Sequence, residues 1–363
     1  MTRAELQEEA VELLELHRKL ICMWGTGVGK SWVVTKFLQK HPGFRTLILV
    51  PEQNNIKNWQ DEFDKSGVLT LGVDIMCYAS MHKQKNTNWD LLVVDEAAHV
   101  DTEKRKEIFK SISAHYVLAL GALIDDDQKK VLEDTYGKFQ ISKYGLNNAI
   151  QSGILPTPTI YVMHMELDNK DRKYKHKDKL LTAKGYYDIL KDKVTSAYIR
   201  YGKKATEVNK NAMLQAGLER KRFLGELKEE AVKKICKSLE DANKRYLCFC
   251  SSIEQAKSLS PENSFTSLTP ASKKMLEKFN SKKINSLYVV GKLIEGQNLK
   301  DIDCGVITQL GGTTRITIQE CGRIMRSKNP EIFVLVFDGT KDDSYLYTLT
   351  SSISKEYIKH YKY

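Results

Sequence analysis

Two stretches of this chain hold residues spaced to do chemistry. The first is Gly25-Thr26-Gly27-Val28-Gly29-Lys30-Ser31, which follows a short apolar run, Leu20 to Met23, and precedes a helical run from Trp32 to Gln39. A strand, a glycine-rich turn, Lys-Ser and then a helix make the context of a phosphate loop. The glycines let backbone N–H groups turn inward around phosphates, and the helix N-terminus adds positive potential. Lys30 would neutralise the β- and γ-phosphates, and the Ser31 hydroxyl would ligate Mg²⁺. Thr26, Gly27, Val28 and Gly29 complete the expected nucleotide-binding set. One residue departs from the general pattern: Trp24 stands where a glycine is usual, five residues before Gly29.

The second stretch, Leu91-Leu92-Val93-Val94-Asp95-Glu96-Ala97-Ala98-His99, is an apolar run ending in two adjacent carboxylates, 65 residues beyond Lys30. Asp95 would hold Mg²⁺ through water, opposite Ser31. Glu96 would polarise an attacking water, because phosphoryl transfer needs positioning more than covalent chemistry. The cofactors implied are ATP and Mg²⁺.

These residues need a scaffold that brings two strand ends together. Leu20 to Met23, Thr46 to Val50, Asp74 to Tyr78, Leu91 to Val94 and Tyr116 to Leu120 are short, nearly continuous apolar runs, the signature of strands buried on both faces. Amphipathic segments lie between them, such as Asn54 to Asp64 with Ile56, Trp59 and Phe63 at helical spacing. This alternation predicts an α/β fold with a parallel sheet. Leu155-Pro156-Thr157-Pro158 marks a break, and Thr159 to Met165 reads as a strand carrying the chain across it. From Asp168 to Glu230 the chain reads as helical and basic, with 17 Lys or Arg against 10 Asp or Glu. Tyr174, Tyr186, Tyr187, Tyr198 and Tyr201 are interleaved there. Alternation then returns, with strands expected at Tyr246 to Cys250, Ser264 to Leu268, Ser286 to Val290, Gly305 to Thr308 and Ile332 to Phe337. The expected domains are 1–165, a basic helical connector at 166–230, and 231–363.

A chain of 363 residues exceeds one usual core, in keeping with two domains. No apolar run reaches the roughly 20 residues of a membrane span, and Met1 to Glu15 lacks a basic-then-apolar signal pattern. Seven scattered cysteines form neither a zinc spacing nor a disulfide framework. Cys248 and Cys250, two apart on one strand, share a face that suits a core. A reducing intracellular compartment is expected, without secretion or a membrane partner. The net charge of +11 favours a polyanionic partner, and a net seven of those charges lie between Asp168 and Glu230. Lys173, Lys175 and Lys177 belong to its densest cluster and are candidate nucleic-acid contacts.

Asp95-Glu96-Ala97-Ala98-His99 resembles the DEAD/DEAH-type box of superfamily 2 helicases, in its D-E-x-x-H form. The resemblance spans nearly the whole chain and implies two RecA-like domains with ATP bound between them. It gives His99 the role of linking the nucleotide site to the facing domain. Gln7 is similar to an upstream glutamine that reads adenine. Leu49-Val50-Pro51-Glu52-Gln53 resembles motif Ia, implying backbone contacts at Pro51 and Gln53, and Ser80 lies in a similar following motif. Leu247 to Ser252 resembles motif IV, with Ser251 facing the nucleic-acid backbone. Glu295-Gly296-Gln297-Asn298-Leu299 resembles motif V, implying nucleotide contacts at Gly296 and Asn298 and a nucleic-acid contact at Lys292. Gln319-Glu320-Cys321-Gly322-Arg323-Ile324-Met325-Arg326 resembles motif VI, which makes Gln319, Arg323 and Arg326 catalytic. Arg323 and Arg326 are three apart, so on a helix they share a face, and arginine fingers accelerate other systems by roughly 10³–10⁵.

The chain departs from the family at Leu120-Gly121-Ala122, where motif III normally carries two hydroxyls. That difference bears on unwinding more than on hydrolysis. Val290-Gly291 replaces the usual Thr-Asp of motif V, and Glu320 the first arginine of motif VI. The reading is therefore a nucleic-acid-stimulated ATPase of helicase or translocase type, with DNA ahead of RNA and little sequence preference. Alternatives are a duplex DNA translocase or remodeller with little unwinding, and an ATP-gated binding module with negligible turnover. A GTPase would need a guanine-reading N-K-x-D sequence, and none is present.

Overall fold

The computed structural model describes residues 1–84, 87–100, 103–266, 272–290, 299, 301–310, 324 and 327–363. The chain divides into two compact units, the first built on Met1–Thr157 and the second beginning at Pro158.

The first unit opens with α1 (Arg3–His17), held at its start by a reciprocal cap between Thr2 and Glu5. Then follow β1 (Lys19–Trp24), α2 (Ser31–Lys40), β2 (Thr46–Val50), α3 (Gln53–Ser66), β3 (Val73–Cys77) and β4 (Thr87–Val94). The unit continues through α4 (Glu103–Phe109), β5 (Ile112–Gly121), α5 (Asp126–Tyr136), β6 (Gln140–Tyr144) and α6 (Leu146–Gln151). The sheet order is β3-β2-β4-β5-β1-β6, with every pairing parallel. Five of the strands match the expected apolar runs. Leu91 to Val94 and Val117 to Leu120 are fully buried, as strands covered on both faces must be.

The second unit contains β7 (Thr159–Met165), β8 (Tyr174–His176), β9 (Lys179–Leu181), α7 (Ala183–Lys203), α8 (Glu207–Leu227) and α9 (Glu229–Asp241). After these come β10 (Tyr246–Cys250), α10 (Ile253–Leu259), β11 (Ser264–Phe265), α11 (Ser272–Asn280), β12 (Ser286–Val290) and β13 (Cys304–Ile307). The unit closes with β14 (Glu331–Phe337), α12 (Lys341–Ser352) and β15 (Ile358–Lys362). Its sheet, also parallel throughout, runs β11-β12-β10-β13-β14-β7-β15.

Three features differ from the sequence reading. β7 pairs with β14 over seven residues, so the break falls at Thr157/Pro158 and not after residue 165. The strand is contributed by the first half of the chain but completes the second sheet. Residues 174–181 are not helical: β8 and β9 form an antiparallel hairpin. The order Lys-Tyr-Lys-His-Lys from Lys173 to Lys177 has period two, which puts the lysines on the exposed face and Tyr174 and His176 on the other. The connector is no free-standing unit either. Tyr187, Leu190, Phe223 and Leu224 bury themselves against Phe337 at the end of β14.

Candidate functional site

β1 and β4 flank β5 in the first sheet, so the loops leaving their C-terminal ends lie side by side, where open parallel sheets bind ligands. They enclose a cleft of about 710 Å³. Thr26, Gly27, Gly29, Lys30 and Ser31 line it from the β1 side, and Asp95 and Glu96 from the β4 side. Gly27 and Gly29 have φ of +87° and +101°, a region closed to most side chains. A Cβ on Gly29 would sit 2.6 Å from the Gln7 side chain. The turn therefore stays open as a cradle for phosphate oxygens, and α2 begins directly behind it at Ser31. Val28 is fully buried, so only its backbone is offered to a ligand.

The Lys30 ammonium folds back over the loop and donates to the Trp24 carbonyl at 3.0 Å. The Trp24 indole is wholly buried and donates to Ser142 Oγ on β6 at 2.9 Å. That orientation explains how an indole occupies a position where glycine is usual: its bulk goes into the sheet, and only its carbonyl reaches the loop. Gln7 Nε2 donates to the Gly29 carbonyl at 3.1 Å, which ties α1 to the turn.

Asp95 leaves β4 with its backbone N–H bonded to the Leu49 carbonyl. Trp59 Nε1 on α3 donates to Asp95 Oδ2 at 2.9 Å, and the Tyr78 hydroxyl donates to the Asp95 carbonyl at 2.7 Å. Burial, reinforced by the neighbouring Glu96 charge, pushes the Asp95 carboxyl up to about 6, against the opposing pull of Trp59 and Lys30. Glu96 takes a left-handed backbone, φ +48°. A non-glycine residue held there beside a cleft stores strain of the kind found at functional sites. His99 ends the short 3₁₀ turn Ala97–His99, and its carbonyl accepts from Arg105. Gln128 Nε2 on α5 pins the Ala98 carbonyl at 3.1 Å. His99 does not line the cleft.

The donor set suits Mg²⁺: a hydroxyl at Ser31 and a carboxylate at Asp95, both oxygen, which is how Mg²⁺ is held when phosphates supply further ligands. A carboxyl pushed up by burial is one that a cation would help to ionise. Trp59 and Tyr78 were legible in the sequence only as apolar core positions. Their polar atoms become relevant once α3 and the turn after β3 pack against the end of β4.

No protein-family profile matches the chain. It is 21% identical to the DNA 3'-5' translocase XPB2 of Sulfurisphaera tokodaii, across 93% of this chain and 82% of that protein. Its fold is similar to the crystal structure of the Pyrococcus furiosus Hef helicase domain, with a TM-score of 0.58 at 12% identity over 95% of this chain and 97% of that one. The chain is thus similar in sequence to a DNA translocase and in fold to a helicase domain. Its two parallel α/β units correspond to two RecA-like lobes.

The remaining expected residues of this chain fall into four groups. Pro51 and Gln53 sit between the end of β2 and the start of α3, and Ser80 lies in the 3₁₀ segment Tyr78–Gln84 after β3. All three are thus at the same C-terminal sheet edge as the cleft. Lys173, Lys175 and Lys177 are exposed along the β8–β9 hairpin, with Lys173 paired to Asp171 at 3.0 Å. Of the interleaved tyrosines, Tyr174, Tyr186 and Tyr187 serve as packing, while Tyr198 stays exposed. Ser251 is a correction. Its hydroxyl is buried with no hydrogen-bond partner among the described residues, and a Cβ at Gly225 of α8 would overlap it. The strand end expected to face nucleic acid is instead covered by a helix. Gly296, Asn298, Lys292, Gln319, Arg323 and Arg326 lie outside the described residues.

Proposed function

We propose that this chain is an ATP-driven motor on nucleic acid, with ATP hydrolysis stimulated by the track. The observation that supports this most is the convergence of the glycine turn after β1 and the Asp95–Glu96 pair after β4 on one cleft. Lys30, already poised over the turn on the Trp24 carbonyl, would exchange that partner for phosphate oxygens. The backbone around Gly27 and Gly29 would cradle the same phosphates. Ser31 and Asp95 would hold Mg²⁺, which when bound neutralises charge on the β- and γ-phosphates. Glu96 would orient the attacking water, and Arg323 and Arg326 are assigned to the γ-phosphate. Contacts to the track at Pro51, Gln53, Ser80 and the lysine hairpin would be mainly to phosphate and sugar, with little sequence preference.

DNA is the track we favour, since the archaeal relative is named a DNA translocase. Translocation with little unwinding is the second reading. It is favoured by Leu120-Gly121-Ala122 at the end of β5, which offers no side-chain hydroxyl beside the cleft. The deciding experiment is steady-state ATP hydrolysis with single-stranded DNA, duplex DNA, branched DNA and RNA in parallel. Slow turnover alone, strong stimulation by DNA and none in Lys30→Ala are expected. Arg323→Ala should bind nucleotide yet not turn it over. ATP-dependent retention on DNA without phosphate release would overturn the motor in favour of a binding module.

A further inference from the structure

A second cavity, of about 620 Å³, lies wholly within the second unit, where the β8–β9 hairpin meets α7 and α8. It shares no lining residue with the cleft described above, and its volume is in the range of sites that enclose a small molecule or one group of a larger one. Helical spacing builds one wall: Gln215, Leu218, Glu219, Arg222 and Glu226 recur every three or four residues along α8 and so share a face. Tyr186 and Leu190, four apart on α7, line it as well, and Lys173 to Lys175 close it from the hairpin.

Three rings meet at this cavity. The Tyr174 and Tyr186 rings stack at 5.8 Å, and both abut Phe223 of α8, at 5.2 and 5.0 Å between centroids. Phe223 is buried, but the two tyrosines are only half-buried, so part of their apolar surface stays open to a ligand. Three cations line the same space, Lys173 and Lys175 on either side of Tyr174 and Arg222 next to Phe223. Lys173 shares its charge with Asp171 at 3.0 Å, and the Glu219 carboxylate is engaged by Lys193 of α7 at 2.5 Å. Gln215 and Glu226 add an amide and a carboxylate to the wall.

One chemical unit uses all of these groups: a planar heterocycle carrying a phosphate. Its face stacks on tyrosine, its edge bonds the amide and the carboxylate, and its phosphate meets the cations. Bases inside a duplex are already stacked, so a concave site can take only a nucleotide turned out of the stack. We propose that this cavity receives one unstacked nucleobase, with the attached phosphate held by Lys175 and Arg222. The inference rests on the nucleic-acid reading above, and it adds to the backbone contacts one contact that needs the base. Its source is a single strand of the track or a free nucleotide.

The test uses the full chain and two fluorescent strands of equal length, oligodeoxyadenylate and the same sugar–phosphate chain with every base removed. Both carry the same charge, so a purely electrostatic surface holds them equally. Wild type should bind the intact strand roughly five- to a hundredfold more tightly, the range expected for one stacked base. Leu218→Trp fills the cavity from a position 46% exposed and changes no charge; it should bring the intact strand down to the affinity of the abasic one, with melting near wild type. Gln215→Trp, on the same face and also exposed, replaces it if Leu218→Trp does not fold. Deoxyadenosine monophosphate, titrated into Lys30→Ala with and without Leu218→Trp, separates the sources: binding that the tryptophan abolishes names a free nucleotide, and strand selectivity without it names the track. Strands bound equally by wild type with no such nucleotide binding, or a base preference that survives in a folded cavity-filling variant, refute the pocket. A wild-type chain that binds neither strand would instead overturn the nucleic-acid reading itself.

Discussion

Replacing Trp59 with Phe isolates one hydrogen bond at the candidate metal-binding carboxylate. The Phe ring keeps the buried contact with Phe63, whose ring centroid lies 5.7 Å away, and removes only the N–H donated to Asp95 Oδ2. A hydrogen bond to a charged group is worth about 1.5–3 kcal/mol, and about 1.4 kcal/mol corresponds to one pKa unit. Asp95, already pushed up to about 6, should therefore rise by roughly one to two units. At pH 7 its ionised share falls from about nine-tenths to about half or less. The protonated acid cannot serve the cation, so kcat/KM at pH 7 should drop about two- to tenfold, with most of the loss recovered near pH 9. The assay is a pH–rate profile of DNA-stimulated hydrolysis from pH 5 to 9, at saturating Mg²⁺ and below it. The acid limb should move to higher pH in the variant. An acid limb that stays in place, or a loss equal at every pH, would refute the argument that Trp59 acts through the Asp95 proton.

The same raised carboxyl makes a prediction about stability. Because the folded state binds the Asp95 proton more tightly than the unfolded chain, the stability it lends is present in acid and lost as pH rises through about 6. Asp95→Asn should abolish hydrolysis yet raise the melting temperature at pH 8, relieving up to about 3 kcal/mol, with little change near pH 4. An equal effect at both pH values would sink this. For the lysine hairpin, charge reversal at Lys173, Lys175 and Lys177 should weaken DNA binding and flatten its log–log salt slope by about one for each phosphate no longer neutralised. An unchanged slope takes the hairpin off the binding surface.

The candidate loops and most of the scaffold were legible in the chain itself, because both depend on local patterns. Strands such as Thr46–Val50, Tyr246–Cys250 and Ser286–Val290 are buried on both faces, so they appear as unbroken apolar runs whatever surrounds them. Two of the four edge strands carry no such mark. β6 (Gln140–Tyr144) and β15 (Ile358–Lys362) each have one neighbour and mixed polar residues, and neither stands out in the sequence. The glycine turn and the Asp-Glu pair stand out as candidates because phosphate binding, where it occurs, uses the backbone and a few consecutive side chains.

Tertiary structure alone decided what comes from distant parts of the chain. That β7 completes the second sheet depends on its pairing with β14, where Thr159 meets Glu331, 172 residues further on. That Trp59 and Tyr78 hold Asp95, and that the Ser251 hydroxyl is buried against α8, depends on how helices dock against strand ends. A buried ring of hydrogen bonds joins Lys228, Gln309 and Asp342, residues that nothing in the linear order relates. A polar atom acquires its meaning from the partner it meets once water is excluded, and only the folded chain specifies that partner.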